Sequence, residues 1–203
     1  MAIRYKIKAQ IVDIKSDSPR SEDVFFVDTN VWYWLTYSKA TSYKLSQLSE
    51  YPIYLNKALS TKSRIHHSGL SLAELAHLIE RTEREIYEKK VCLIKPKEYR
   101  HNLAGERSRV FLEIQTAWGQ VIDLADPLAI TIDELATTEA LNRFQSEKVD
   151  GYDLFILESM RNHGVAQIIT DDGDFAAVCD IQVFTANRNV IKAARNQSML
   201  LAR

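Results

Sequence analysis

The sequence has few cysteines, no long apolar run and no segment of low complexity. Cys92 and Cys179 are its only cysteines, and neither belongs to a Cys-x-x-Cys pair. This excludes a disulfide framework and a zinc finger, and it fits the reducing cytoplasm. No apolar run approaches the ~20 residues of a membrane helix. Charged and apolar residues alternate over residues 1–6, unlike the apolar core of a signal peptide. We therefore expect a cytoplasmic protein without membrane contact.

The composition is that of a folded globular chain. Of 203 residues, 46% are hydrophobic and 26% are charged, which suits one domain with a sizeable core. The net charge of −1 is unevenly distributed, because residues 110–184 carry 3 Lys and Arg against 14 Asp and Glu. Residues 62–109 carry 11 against 7, and residues 185–203 carry 4 against none. Solvated helix faces explain most of these charges, but the pattern also suits a carboxylate site bordered by anion-binding surface.

The apolar pattern predicts strands that alternate with helices. Residues 3–11 alternate with period two, which predicts a half-exposed strand in an N-terminal extension, residues 1–23. The remaining residues, 24–203, form the predicted main domain. Continuous apolar runs there predict strands buried on both faces, and a shorter run predicts one more strand. These strands are predicted at Val24–Val27, Arg64–His67, Val165–Thr170 and Ile181–Thr185.

Helical periodicity fills the segments between the strands. A strong apolar stripe predicts a helix from Ser71 onwards, and residues 31–60 are expected to be helical in parts, with Pro52 opening a new segment. Further helices are predicted at 106–124, 132–145, 150–163 and 188–200. This alternation predicts an α/β fold, a three-layer α/β/α sandwich with a central parallel sheet.

Acidic residues follow two of the predicted buried strands. Asp28 follows Val24–Val27, and three acids follow the strand that ends at Thr170, namely Asp171, Asp172 and Asp174. Ligands of open α/β sheets gather at this carboxyl edge. Clustered acids repel one another, and no Lys or Arg lies between residues 162 and 187, so a bound metal is the natural compensating charge. Each acid alone is equally explained as a turn residue that caps the next helix.

Two more acids lie in the first turns of predicted helices. Ser71 and Glu74 have the spacing of a capping box, and Asp150 with Asp153 has the spacing of an N-cap and its third helical residue. Capping explains Asp150. For Glu74 and Asp153, the spacing leaves open whether they cap the helix or belong to the site. Both helix starts face the carboxyl edge of such a sheet.

Together, four segments of the chain resemble the PIN domain, the metal-dependent nuclease fold of VapC-type toxins from toxin–antitoxin pairs. Each motif alone is common, but all four in this order, each on a suitable element, are specific. The resemblance spans roughly residues 24–187. The segments are Val27-Asp28-Thr29-Asn30-Val31, Ser71-Leu72-Ala73-Glu74-Leu75, Asp153-Leu154-Phe155-Ile156-Leu157 through Gly164, and Thr170-Asp171-Asp172-Gly173-Asp174-Phe175.

The resemblance implies a metal-dependent endoribonuclease that hydrolyses RNA phosphodiesters and leaves 5′-phosphate and 3′-hydroxyl ends. Carboxylates without His or Cys partners suit Mg²⁺ or Mn²⁺. By this resemblance Asp28, Asp153 and Asp172 hold one ion, and Glu74 holds or positions a second. Asp174 is an alternate ligand to Asp172, and Asp171 is the least suitable of the three acids. Supporting hydrogen bonds are expected from Thr29, Asn30 and Thr170.

The implied partners are RNA, expected to be single-stranded, and two kinds of protein. A cognate antitoxin and a second copy of the chain are both typical of the family, and the strand at residues 3–11 offers an edge for such pairing. Basic residues that could hold RNA are Arg64, Arg81, Arg188 and Lys192. Aromatic residues on which bases could stack are Trp32, Trp34 and Tyr152. Surface charge and core packing explain most such residues equally well.

Other functions remain open at this point. A non-catalytic PIN-like scaffold that binds RNA or protein is one alternative, although it would have little reason to keep clustered carboxylates. A PIN nuclease of RNA processing is another. A haloacid-dehalogenase-like phosphatase also begins with a strand that ends in Asp, but it requires Asp-x-Asp, and residue 30 is Asn.

Overall fold

The computed structural model describes residues 3–42 and 46–203, and within them six parallel strands form one sheet. The spatial order is β1-β6-β5-β2-β3-β4. The strands are β1 (Gln10–Asp13), β2 (Val24–Val27), β3 (Arg64–His67), β4 (Asp126–Pro127), β5 (Gln167–Ile169) and β6 (Gln182–Thr185). The predicted bounds of β2 and β3 are confirmed, and β5 and β6 lie inside their predicted ranges.

Eight α-helices of the described residues connect and cover the strands. They are α1 (Thr29–Thr36), α2 (Gln47–Ser60), α3 (Gly69–Lys90), α4 (Pro96–Asn102), α5 (Ala104–Leu124), α6 (Glu134–Ser146), α7 (Gly151–Asn162) and α8 (Arg188–Asn196). A 3₁₀ turn spans Asp174–Ala177. Residues 43–45 of the predicted helical region 31–60, and residues 1–2 of the predicted extension, lie outside the described residues.

The helices form a layer on each face of the sheet. Neighbouring residues of one strand point to opposite faces, so that Phe26 packs in a core with α7 and α8, whereas Phe25 packs in a second core with α1, α2, α3 and α5. Ile168 and Ile169 of β5 divide between the same two cores. The predicted three-layer α/β/α sandwich is therefore confirmed. Within the described part of the chain, no helix combines the length and the apolar character required to cross a membrane.

The predicted strand at residues 3–11 is wrong in position. The observed strand is β1, Gln10–Asp13, which pairs with β6, and residues 3–8 join no strand. The predicted free edge for pairing with another chain is wrong as well. Ile11 donates its backbone N–H to Met199 at 2.9 Å and accepts from the N–H of Leu201 at 2.7 Å, so the C-terminal segment covers the outer side of β1. Alternation alone could not distinguish a paired strand from an extended segment that packs on the core.

Three helix predictions also need correction. Pro52 lies inside α2 rather than opening a segment. Helix α3 begins at Gly69, with Ser68 as N-cap, so Ser71 is not the cap and Glu74 does not complete a capping box. The Ser71 hydroxyl instead accepts from the backbone N–H of Ser68 at 3.4 Å. This frees the Glu74 side chain for another contact. Helix α4 and the two-residue strand β4 were not predicted.

Candidate metal centre

Five carboxyl groups from four segments of the sequence line one cavity of about 440 Å³ at the carboxyl edge of the sheet: the N-cap Asp150 and four others. Asp28 follows β2, Glu74 lies in the second turn of α3, Asp153 lies in the first turn of α7, and Asp172 follows β5. No Lys or Arg of the described residues lines this cavity. The chain thus places five acids together without a Lys or Arg in the described lining to neutralise them.

The pairing of β2 with β5 brings Asp28 next to the loop that carries Asp172. Val27 is aligned with Ile169, and the N–H of Asp28 donates to the Ile169 carbonyl at 3.1 Å. The Thr170 hydroxyl donates to Asp28 Oδ2 at 2.6 Å and accepts from the N–H of Asp172 at 2.8 Å. One threonine therefore orients one acid and the backbone of the other.

At the wall of the cavity, one hydrogen bond orients the side chain of Glu74 and another holds the backbone of Asp153. Thr29, the first residue of α1, donates its hydroxyl to Glu74 Oε2 at 2.5 Å. Asp150 is the N-cap of α7, and its Oδ1 accepts from the N–H of Asp153 at 3.4 Å. The predicted N-cap role of Asp150 agrees with this geometry. The structure also places Asn30 beside Asp28, with Nδ2 at 3.5 Å from Oδ2.

Burial and mutual repulsion hold protons on this cluster. Burial raises the pKa of Asp28 to about 7; the hydrogen bond from Thr170 opposes this, and Asp172 and Glu74 add to it. Burial, together with the charge of Asp28, raises the pKa of Asp153 to about 9. The pKa values of Glu74 and Asp172 are also raised, mainly by burial. Such shifts mark carboxylates that lack a compensating cation.

These shifts predict the pH dependence of stability for the metal-free protein. The folded-state pKa values of Asp28 and Asp153 lie above their usual value of 3.8, so the folded state keeps protons that the unfolded chain releases. We expect this pair to lower the free energy of unfolding as pH rises from about 4 to about 9. Urea unfolding in EDTA at several pH values measures the slope. The Asp153→Asn variant should have a shallower slope, whereas Asp123→Asn, on the exposed side of α5, should match the wild type. Equal slopes in all three proteins would contradict the expectation.

The carboxylate oxygens of the cavity are donors of the kind that a hard divalent cation prefers, but they are not arranged around a single point. Within residues 3–42 and 46–203, no three His, Cys, Asp or Glu side chains are close enough to hold a metal ion as they stand. The carboxylates that line the cavity supply the oxygen donors that Mg²⁺ and Mn²⁺ prefer. Burial and mutual repulsion raise the pKa values of Asp28 and Asp153, and a cation among these acids would oppose that repulsion.

The three acids after β5 point to different places. Asp172 lines the cavity, whereas Asp174 is exposed and donates its N–H to Asp172 Oδ1 at 2.9 Å. Asp171 faces α2, where Tyr51 donates its hydroxyl to Oδ1 at 2.6 Å and Gln47 donates to Oδ2. Of these three acids, Asp172 is therefore the one that lines the acidic cavity.

The predicted RNA-binding residues are spread over both edges of the sheet. Arg81 lines a second cavity of about 500 Å³ that shares Asn30 and Asp172 with the first. Arg188 and Lys192 are exposed on α8, which follows β6. Arg64 begins β3 and so lies at the opposite, amino edge of the sheet, away from the acids.

The three predicted stacking residues differ in accessibility. Trp32 is fully buried in the core beneath α1, so the expectation that it stacks on bases is wrong. Trp34 lines the second cavity, and Tyr152 is half exposed at the wall of the acidic cavity. Helix α1 contacts α2, α3 and α5. Because it packs against three helices, the amphipathic spacing of its sequence does not by itself show which tryptophan faces the core.

Two residues of the cavity were missed as site residues. His77 lines the cavity three residues after Glu74 on α3. Residues three apart share one face of a helix, so the predicted helix could have placed His77 beside Glu74. Asp150 also lines the cavity, although the sequence suggested only a cap. Its charge contributes to the raised pKa of Glu74, Asp153 and Asp172. Capping and membership of the cluster are therefore compatible at this position.

The fold and the clustered acids define a class of nucleic-acid-cleaving domain. The sequence matches the PIN domain family over residues 25–181, and the chain belongs to this family. PIN domains are in general nucleases, and they typically use divalent metal ions. Comparison with curated proteins gives no match. Strand β1, strand β6 and helix α8 lie outside the matched residues.

Proposed function

We propose that this protein is a Mg²⁺- or Mn²⁺-dependent endoribonuclease whose active site is the acidic cavity. The observation that carries the proposal is the arrangement of Asp28, Glu74, Asp153 and Asp172, four acids from four segments that line one cavity whose described lining contains no Lys or Arg. A purely structural role does not explain this arrangement, because buried carboxylates without a compensating cation destabilise a fold. Functional sites commonly keep such groups.

Each of these four acids has a role in the proposed reaction. Asp28, Asp153 and Asp172 would hold one ion, and Glu74 would hold or position a second. When bound there, the metal would lower the pKa of a coordinated water and neutralise charge on the phosphate. Water oxygen bonds to phosphorus while the bond to the 3′ oxygen breaks, and a proton from the water ends on that oxygen.

The threonines and the exposed aromatic ring support this chemistry without touching the reacting bond. Thr170 fixes the orientation of Asp28, and Thr29 fixes Glu74, through the hydrogen bonds described above. Asn30 stands beside Asp28 at the mouth of the cavity. Tyr152, half exposed beside the same acids, is placed to stack on an unpaired base next to the scissile bond.

The test is cleavage of end-labelled single-stranded RNA by the purified protein with Mg²⁺ or Mn²⁺. We expect products with 5′-phosphate and 3′-hydroxyl ends in the presence of either metal, and no products in EDTA. Cleavage that persists in EDTA would contradict a metal-dependent site. A folded protein that cleaves no RNA with either metal would favour the non-catalytic scaffold instead.

The biological role within this class rests on the resemblance of the four acidic motifs to those of VapC-type toxins. On that basis we propose a toxin that pairs with a cognate antitoxin protein and acts as a homodimer in the cytoplasm. Growth arrest on expression, relieved by the product of a neighbouring small gene, is the expected result. Growth unaffected by the active enzyme would instead support a PIN nuclease of RNA processing.

A further inference from the structure

Helix α8 presents a surface of cations and amides next to the loop Asp171–Asp174, which we call the acidic loop. Its apolar residues, Val190, Ile191 and Ala194, are buried in the core. The opposite face carries no acid, since residues 185–203 contain none. Its exposed side chains are Arg188, Asn189, Lys192, Arg195 and Asn196.

The N-terminal segment completes a groove along this helix. Residues 3–5 lie against α8 and enclose a cavity of about 410 Å³ with it. The polar lining consists of Arg4, Asn189, Lys192, Asn196 and Gln197, together with the ring of Tyr5. None of the described residues that line this groove is acidic. We call this cavity the α8 groove.

The two cations that line the α8 groove have no acidic partner among the described residues. Arg4 and Lys192 form no ion pair with any described residue. By contrast, Arg143 bridges Glu147 and Glu158, and Arg100 bridges Glu80. Two cations that share a groove repel each other, so an anion bound between them relieves this repulsion.

Two contacts join the α8 groove to the acidic loop. Asn187, the N-cap of α8, donates its side-chain amide to the carbonyl of Asp171 at 2.8 Å. The ring of Tyr5 lies so close to Gly173 that a Cβ at residue 173 would overlap it. The Gln197 amide holds the Tyr5 segment, donating to the Tyr5 carbonyl at 3.0 Å and accepting from the N–H of Ile7 at 3.0 Å.

We propose that the α8 groove binds the phosphodiester backbone of single-stranded RNA that leaves the acidic cavity past Asp172 and Asp174. This inference rests on the proposed nuclease function and adds the path of the substrate. Arg4 and Lys192 contact phosphates, and the amides of Asn189 and Asn196 donate to phosphate or base oxygens. The groove is built from residues outside the family match at 25–181, so it is a feature of this chain rather than of the matched domain.

RNA binding without metal tests the α8 groove directly. A fluorescein-labelled single-stranded oligoribonucleotide is titrated in EDTA, by anisotropy, at several salt concentrations. The test variant is Arg4→Gln with Lys192→Gln. The matched control is Lys57→Gln with Lys97→Gln, which removes the same charge from exposed positions on α2 and α4. Thermal unfolding verifies that both variants are folded.

We expect the test variant to bind RNA about 10-fold more weakly at moderate salt, with a salt slope shallower by about 1.4 for two lost phosphate contacts. The control should keep the wild-type slope. In the cleavage assay the test variant should raise KM on the oligonucleotide and leave kcat unchanged. Equal affinity and slope in test and control variants would overturn the proposal, as would a wild-type protein that binds no RNA.

The binding assay separates this proposal from the proposed function. RNA that binds through the α8 groove but is not cleaved with any metal would refute the nuclease and leave the groove in place. Cleavage with no change of binding in the test variant would refute the groove and leave the nuclease in place. A poly-glutamate peptide that binds through Arg4 and Lys192, and is not displaced by RNA, would overturn the proposal in favour of an acidic protein partner.

Discussion

The Asp28→Asn variant is expected to lose at least about 100-fold of the metal-dependent RNA cleavage while keeping its fold. Asp28 directly follows β2 in the middle of the sheet, and the residue is only 6% exposed. The amide keeps the shape of the carboxylate and its hydrogen bond from Thr170, but it removes one negative charge from the metal centre. Because that charge is repelled by Asp172 and Glu74, the metal-free variant should be as stable as the wild type or more stable.

The measurement compares initial cleavage rates and thermal midpoints with those of the wild type. Asp123→Asn makes the same chemical change at an exposed position of α5 and should retain full activity. Wild-type cleavage by Asp28→Asn would remove this residue from the proposed centre. A loss of activity that accompanies unfolding would also contradict the expectation, since the argument requires an intact fold.

The Arg203→Met variant is expected to lose about 3–5 kcal/mol of unfolding free energy, the usual effect of breaking a buried ion pair. The Arg203 guanidinium donates to Asp17 at 3.0 and 2.9 Å and to Asp23 at 2.7 and 2.9 Å. All three side chains are less than 10% exposed, and the guanidinium also covers the ring of Phe184 at 4.6 Å. Methionine preserves much of the apolar contact but leaves two buried carboxylates without their cation.

Urea unfolding at neutral pH measures this loss, with Arg107→Met as the matched control. Arg107 pairs with Glu80 while half exposed, so its removal should cost less than about 1 kcal/mol. Adding Asp17→Asn and Asp23→Asn to Arg203→Met should recover part of the loss, because the amides need no cation. A loss at Arg203 no larger than that of the control would show that this ion pair does not hold the C-terminal segment in place.

The Arg203 contacts fix the loop that leads into β2. Asp17 lies in this loop between β1 and β2, Asp23 is its last residue, and Asp28 directly follows β2. Strand β1 and the C-terminal segment are hydrogen-bonded at Ile11, outside the matched family region. The residues beyond the family match therefore close the edge of the sheet and form the α8 groove.

Strands that are buried on both faces were predicted well. Val24–Val27 is apolar at every position, and the structure places it between β5 and β3 with helices on both faces. The prediction failed at the edges of the sheet. Residues 3–8 alternate like a strand but pack against α8 and the 3₁₀ turn without a ladder partner. The polar pair Asp126–Pro127 gives no strand signal, yet it pairs with β3.

The sequence by itself determined the class of this protein. Continuous apolar strands, amphipathic helices and four acidic motifs in a fixed order are local properties, and they sufficed for the α/β sandwich and for the candidate acids Asp28, Glu74, Asp153 and Asp172. Only the tertiary structure decided which acid of the Asp171–Asp174 loop faces the cavity, that Trp32 is core, and that Arg64 lies at the far edge. These depend on strand order and on the direction of side chains across the sheet. Strand order and side-chain direction are set by contacts between residues that are far apart in the chain, so no local sequence pattern predicts them.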